Sequence, residues 1–219
     1  MITNLTPLTT IQTYPGLHVR TAMIANALSI RYVRAGDRGT RPILDELVGP
    51  PVGGWGLDLP YGRGGISTCS TVALGLLRRL NVDDDQVMAP YRPGDGMRQA
   101  HRFAHRVGAF AYSYPGNFPL PGDVVDLAPW PGREDKSNHT LTVIETHDDR
   151  IVSVDGGQVG TDGLQAIRVV ARTWTMVGDR AYLDGRPVYG WIDIDRVPVR
   201  ETITVPEGWE EITLEGRVT

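Results

Sequence analysis

The sequence contains a single cysteine, Cys69, among its 219 residues. A disulfide within the chain is therefore excluded, and nothing in the cysteine content argues for an oxidising compartment. Since pairing does not account for this thiol, its own chemistry becomes the first candidate for function.

Positive charge and long apolar runs are also scarce. The 22 Lys and Arg residues are outnumbered by 26 Asp and Glu, and the net charge is −4. A nucleic-acid site needs clustered cations that neutralise phosphates, so we expect no nucleic-acid partner. No apolar run approaches the roughly 20 residues of a spanning helix, so we expect no membrane partner.

The N-terminal segment, residues 1–10, lacks the basic start and the apolar run of a secretory signal. The sequence therefore predicts a protein that is cytoplasmic as synthesised. It would reach another compartment through a dedicated secretion system or by release on lysis.

Length and composition predict one domain. The chain is 41% hydrophobic and 22% charged, as in ordinary globular proteins, and a chain of this length can bury most of its surface in one core. We expect a single domain over residues 1–219, with a helical lead-in at 1–54 and a core at about 55–195. Residues 198–219 are expected to form an edge strand or a loose tail.

The first half of the chain has helical patterns. Apolar residues at three- and four-residue steps predict helices over residues 17–34 and over 67–80, the latter with Ser67 or Thr68 as N-cap. Asp95 as a cap and Gly108 as a stop signal predict a third helix over 95–107. A Gly- and Pro-rich stretch at 49–65 predicts a structured loop.

The second half has strand patterns instead. Short runs rich in Val, Ile and Thr predict antiparallel strands over 123–127, 140–146, 150–155, 166–171, 173–177, 181–183 and 188–194. Asp184-Gly185 is typical of a hairpin turn. Helices followed by strands predict an α+β fold.

Cys69 lies where the glycine-rich stretch ends and the second helix begins. A helix N-terminus favours the thiolate, because free N–H groups and the helix dipole stabilise negative charge. The glycines let the substrate approach the thiol, and the backbone N–H of Cys69 is the expected oxyanion donor. The alternative is that a lone cysteine is a small buried apolar residue.

A nucleophilic thiol needs an imidazole that acts as base and then as acid. His139 opens a predicted strand, so we expect its ring at the sheet end that faces the Cys69 helix. His101 and His105 have the spacing of a metal pair but no third ligand nearby in sequence, so we expect no metal. The remaining histidines, His18 and His147, have no predicted role.

Asp155 ends the strand that follows the His139 strand. In an antiparallel pair its carboxylate returns toward His139, where it can orient the imidazole. Gln158 lies just behind it. The alternative is that Asp155-Gly156-Gly157 is only a turn.

Four segments resemble the CHAP and NlpC branches of the papain-fold cysteine amidases and peptidases. They are Gly64-Gly65-Ile66-Ser67-Thr68-Cys69, Pro121-Gly122-Asp123-Val124-Val125, Asn138-His139-Thr140-Leu141-Thr142-Val143-Ile144 and Ile151-Val152-Ser153-Val154-Asp155. The resemblance implies a papain-like fold, with N-terminal helices packed on a C-terminal antiparallel β-sheet. It also implies Cys69 as nucleophile, His139 as base and Asp155 as the residue that orients it.

The activity implied by the resemblance is hydrolysis of a peptide or amide bond, frequently in the peptidoglycan of bacterial cell walls, through an acyl-enzyme on Cys69 and without a cofactor. Residues expected at the substrate are Trp55, Tyr61, Thr68, Asn138 and Gln158. Besides a peptide or peptidoglycan substrate, an inhibitor or immunity protein is a candidate partner. A phage lysin, an exported toxin and an intracellular amidase all remain open.

Two other functions are compatible with the sequence. A noncatalytic domain of the same fold would bind sugar or peptide in an aromatic groove, with candidate residues Trp55, Tyr61, Tyr91, Tyr112, Tyr114 and Trp130. An acyltransferase would use the same three residues and pass the acyl group to an amine.

Overall fold

The computed structural model describes residues 8–12, 19–32, 68–89, 98–128, 139–159 and 165–208. Within these ranges the helices are α1 (Val19–Ser29), α2 (Thr68–Arg79), α3 (Asp85–Met88) and α4 (Arg98–Arg106). The strands are β1 (Leu8–Gln12), β2 (Phe110–Tyr112), β3 (Val124–Leu127), β4 (His139–Thr146), β5 (Arg150–Val159), β6 (Gln165–Val177), β7 (Arg180–Leu183), β8 (Arg186–Ile192) and β9 (Thr202–Pro206).

Six antiparallel strands close into a barrel. Their order is β8-β3-β4-β5-β6-β7, and β7 pairs back onto β8, while β2 adds to β8 outside this ring. The expected α+β papain-like fold, with helices packed on a sheet, is therefore wrong. The described chain is mostly antiparallel β, with a closed six-stranded barrel and few helices.

Closure of the barrel depends on the turn that precedes β8 and on the pairing of β8 with β3. Asp184 and Gly185 have φ values of 49° and 77°, the positive values that a two-residue hairpin turn requires. The turn brings β8 back along β7, and β8 then pairs with β3 in the register Val125↔Trp191. The hairpin has a local signature, but the β3–β8 partnership joins distant segments and has none.

The strands separate two apolar layers because their side chains alternate. One layer fills the barrel with Val125, Leu127, Leu141, Val143, Ile151, Trp174, Ala181, Leu183, Val188 and Trp191. The other layer joins the outer face of the sheet to the helices. Helix α2 packs on β4 and β5 through the apolar face predicted for it, Val72, Ala73, Leu76, Leu77 and Leu80, all of which are buried.

Several other elements differ from expectation. Residues 166–171 and 173–177 belong to one long strand, β6, and β1 and β2 had no predicted counterpart. Within residues 198–219, the described part forms β9, which pairs antiparallel with β1. The predicted loop at 49–65 lies outside the described residues.

Arg20 connects α1 to the start of β3 and to the segment after β8. Its guanidinium donates to Asp123 Oδ1 at 2.7 Å, Asp193 Oδ1 at 2.9 Å and Asp195 Oδ2 at 2.7 Å, and to the carbonyl oxygen of Pro121 at 2.8 Å. The Asp123 side chain is 1% exposed. Asp123 also accepts the backbone N–H groups of Leu120 and Ile194, so one buried ion pair secures three segments.

We predict that Arg20→Met destabilises the fold by about 3–5 kcal/mol, because it leaves the Asp123 carboxylate buried without its cation. Arg200→Met is the matched control, since Arg200 pairs with Asp83 and Asp85 on the surface, where ion pairs contribute little. Urea unfolding of both variants measures the difference. Equal losses in the two variants would contradict the role assigned to Arg20.

Candidate active site

Cys69 is the second residue of α2, which begins at Thr68. Its N–H is therefore one of the first four in the helix, which have no partner within the helix itself. The residue is 5% exposed, and its sulfur hydrogen-bonds the imidazole of His139. The thiol thus contacts a titratable polar group instead of being enclosed by apolar side chains alone.

His139 is the first residue of β4. Its Nε2 lies 2.7 Å from Oδ2 of Asp155 on the neighbouring strand β5. Since each ring nitrogen has one proton or one lone pair to offer, Asp155 occupies Nε2 and leaves Nδ1 for the sulfur. The structure therefore brings Cys69, His139 and Asp155 together, with the His139 ring between the other two side chains.

A bulge in β5 follows Asp155. The pairing with β6 shifts between Asp155 and Gln158, and Gly157 has a φ of 72°, which glycine adopts without strain. As a result, Gln158 Nε2 lies 3.3 Å from both Asp155 Oδ2 and His139 Nε2. Gln158, expected at the substrate, lies on the side of the imidazole that faces Asp155.

Two residues that hold Asp155 were missed from the sequence. Arg172 on β6 places Nη2 2.5 Å from Asp155 Oδ2, and Ser153 donates its hydroxyl to Asp155 Oδ1 at 2.5 Å. Arg172 also donates to Ser153 Oγ at 3.0 Å. For Arg172 the available signal is a charged residue inside a β-rich stretch, at the position where the sequence pattern predicts a break between two strands.

The environment of His139 favours its charged form. Burial by itself lowers the pKa of His139, but the hydrogen bonds to Asp155 and Cys69, together with their negative charges, raise it to about 9. At neutral pH the ring is therefore an imidazolium. A cation at hydrogen-bonding distance and the helix N-terminus both stabilise a thiolate on Cys69.

A second buried carboxyl lies beside the site. Asp126 on β3 pairs in register with Thr140, the residue after His139, and its Oδ2 is 3.7 Å from His101 Nε2. Burial raises the pKa of Asp126 to about 7, and burial together with the charge of His105 lowers the pKa of His101 to about 4. Asp126 lies close to His139, and its charge therefore changes near pH 7. A polar residue inside an apolar strand was the available signal.

The other residues singled out from the sequence are distributed as follows. Outside the described residues lie Trp55, Tyr61, Tyr91, Trp130, Asn138 and His18. Thr68 is described only as the first residue of α2. His147 is exposed and lies 3.0 Å from Glu145, and His105 stacks on Phe110 with ring centroids 4.3 Å apart.

No three His, Cys, Asp or Glu side chains in the described ranges are grouped to hold a metal ion. None of the described helices combines the length and the apolar character needed to cross a membrane.

We predict that Cys69 reacts with iodoacetamide at pH 6 on the order of 10–100-fold faster than an ordinary thiol, because the imidazolium of His139 keeps it ionised. His139→Gln should remove most of this advantage. His147→Gln is the control, since His147 lies on the surface beside Glu145. Mass spectrometry of the alkylated protein gives the rates, and a slow wild-type rate at pH 6 would contradict the ion pair.

We predict that the imidazole of His139 titrates near pH 9 and that Asp155→Asn moves this midpoint to lower pH. The direction follows because Asp155 raises the pKa of His139 through a hydrogen bond and its charge. Proton NMR of the histidine Cε1–H signals measures both midpoints. Asp149→Asn, at an exposed turn position, should leave the midpoint unchanged, and an unmoved midpoint in Asp155→Asn would refute the assignment.

No protein-family model matches this chain, and no curated protein sequence matches it either. The functional proposal therefore rests on the geometry of Cys69, His139 and Asp155 and on the order of the motifs that contain them.

Proposed function

We propose that the protein is a cysteine hydrolase that cleaves a peptide or amide bond, with Cys69 as nucleophile and His139 as general base and acid. The observation that carries this proposal is the chain of contacts from the Cys69 sulfur to the His139 ring and from the ring to Asp155 at 2.7 Å. A nucleophile, a base and a group that orients the base are what covalent acyl transfer requires.

In the first half of the reaction, the Cys69 thiolate attacks the carbonyl carbon and forms a C–S bond. The oxyanion that develops on the carbonyl oxygen is stabilised by the backbone N–H of Cys69 in the first turn of α2. When the intermediate collapses, the C–N bond breaks and the imidazolium of His139 gives its proton to the leaving amine. An acyl-enzyme and a neutral imidazole remain.

In the second half, the neutral imidazole removes a proton from water, which attacks the thioester carbonyl. Breaking the C–S bond releases the carboxylic acid and returns the thiolate and imidazolium. Asp155 is a positioning residue, since it contacts the ring at Nε2 and leaves Nδ1 toward the sulfur. Arg172 and Ser153 in turn hold both oxygens of Asp155, so the ring has one preferred orientation.

The substrate class we propose is bacterial peptidoglycan. The support is the order and local context of the segments around Cys69, Asp123, His139 and Asp155, which are similar to those of the CHAP and NlpC amidases. We carry over from that similarity the chemistry and the wall substrate. An inhibitor or immunity protein is the candidate partner in the same proposal.

We predict that purified peptidoglycan incubated with the protein releases soluble fragments and that Cys69→Ala releases none. Mass analysis of the fragments identifies the bond, because hydrolysis adds one water across it. Fragments joined to an added amine would instead identify an acyltransferase. Ser70→Ala is the matched control, since Ser70 is the next buried residue of α2 and has no part in the mechanism. Equal release by wild type and Cys69→Ala would refute the proposal.

A further inference from the structure

One edge of β8 is shared by two different strands. The first residues of β8 pair with β7 in the register Tyr182↔Pro187 and Leu183↔Arg186. The last residues pair with β2, from Tyr112↔Gly190 to Phe110↔Ile192. Between them, Val188 and Tyr189 have no partner in either of these ladders, so the strand edge is interrupted over two residues.

A cavity opens at this interruption. Its volume is about 350 Å³, within the range of small-molecule sites, and its lining residues are Tyr112, Ser113, Ala128, Asp179, Arg180, Pro187, Val188 and Tyr189. Ser113 Oγ accepts the N–H of Ala181, which joins the end of β2 to β7 beside the cavity. We call this cavity the β8 cleft.

Aromatic rings stand at the β8 cleft and remain exposed. Tyr112 and Tyr189 are 54% and 49% exposed, with ring centroids 6.2 Å apart. Phe110 contacts both rings, at 5.2 Å and 5.7 Å, and His105 stacks on Phe110. Two exposed tyrosines that are braced by other rings form a stiff surface at low entropic cost for a ligand.

Gly190 permits this packing. A Cβ at position 190 would lie 2.5 Å from the carbonyl oxygen of Ala111 and 2.7 Å from Phe110 Cε1. Any side chain at Gly190 would therefore displace β2 or Phe110, and with them the support of Tyr112 and Tyr189.

The lining selects a class of ligand. A peptide that adds as a strand needs several consecutive unpaired residues, and the interruption at Val188 and Tyr189 offers two. A compact, hydroxyl-rich ligand is a better match, since tyrosine faces receive C–H groups while Asp179, Arg180 and the tyrosine hydroxyls exchange hydrogen bonds. We propose that the β8 cleft is a saccharide-binding subsite.

One residue that lines the β8 cleft, Val188, lies two strands from the candidate base His139. Val188 pairs with Leu127 on β3, and Leu127 pairs with His139 on β4, so two strand spacings, about 10 Å, separate Val188 from His139. Under this proposal, a polymer with a sugar in the cleft presents an attached peptide to Cys69. The choice of an amino sugar as ligand rests on the proposed function, whereas saccharide binding itself does not.

The test is calorimetric titration of Cys69→Ala protein, which cannot hydrolyse its ligand by the proposed route, with β-1,4-linked N-acetylglucosamine tetramer. Maltotetraose and a sugar-free stem pentapeptide are titrated in parallel. We predict that the amino-sugar tetramer binds and that Tyr112→Ala and Tyr189→Ala each weaken binding by about tenfold. Binding of maltotetraose that depends on the same tyrosines also supports a saccharide site.

Tyr112→Phe and Tyr189→Phe keep the stacking face and should retain most of the affinity. The control is Tyr32→Ala, at a tyrosine that is 60% exposed and lies in the turn after α1. It should bind the oligosaccharide as tightly as the protein that carries Cys69→Ala alone. Absence of oligosaccharide binding, binding insensitive to the tyrosines, or binding of the pentapeptide alone overturns the proposal. Because hydrolysis is measured separately with wild type, failure of the saccharide site and failure of the hydrolase are distinguishable.

Discussion

The candidate site depends on two contacts of the His139 imidazole, because these contacts join the helix layer to the barrel. On one side it hydrogen-bonds the sulfur of Cys69 at the start of α2. On the other it meets the carboxylate of Asp155 on β5. If α2 shifted along the sheet, the first contact would break while the second stayed. The chemistry therefore requires that the helix is fixed against β4 and β5, which is what the apolar face of α2 provides.

The charged groups around this imidazole form a series of pairwise contacts from the barrel to the helix. Arg172 pairs with Asp155, Asp155 with His139, and His139 with the thiol of Cys69. Each member is buried or nearly so, and an unpaired charge in such surroundings is costly. With a thiolate on Cys69, cations and anions therefore alternate from Arg172 to the sulfur, and every charge in the series has an opposite neighbour. This couples the ionisation of the sulfur to side chains on three strands.

The closed barrel also places the site and the β8 cleft two strands apart. β4, β3 and β8 are neighbours, so His139 and the cleft residue Val188 are linked through Leu127 by backbone pairing alone. Closing the sheet forces β8 to accept β3 on one edge and both β7 and β2 on the other. The interruption at Val188 and Tyr189 is a consequence of that sharing. A barrel of this kind can thus create a ligand cavity without an inserted loop.

The sequence by itself determined the local features of the structure, which depend on residues close together along the chain. The apolar period of α2 placed Cys69 at a helix start, and the strand patterns placed His139 at the start of one strand and Asp155 on the next. The predicted strand end at Asp155 is wrong, since β5 continues to Val159. Asp184-Gly185 predicted the turn between β7 and β8. All of these signals arise within a few residues along the chain, where side-chain spacing and backbone preference act directly.

Only the tertiary structure decided the features that depend on pairing between distant segments. The partnership of β3 with β8 closes the barrel and overturns the expected α+β arrangement. The approach of Arg172 to Asp155 follows from the pairing of β5 with β6, and the shared edge of β8 follows from the closure. Strand alternation specifies which face of a strand is apolar, but it does not specify which strand lies beside it. That choice is made by packing and hydrogen bonding over the whole sheet.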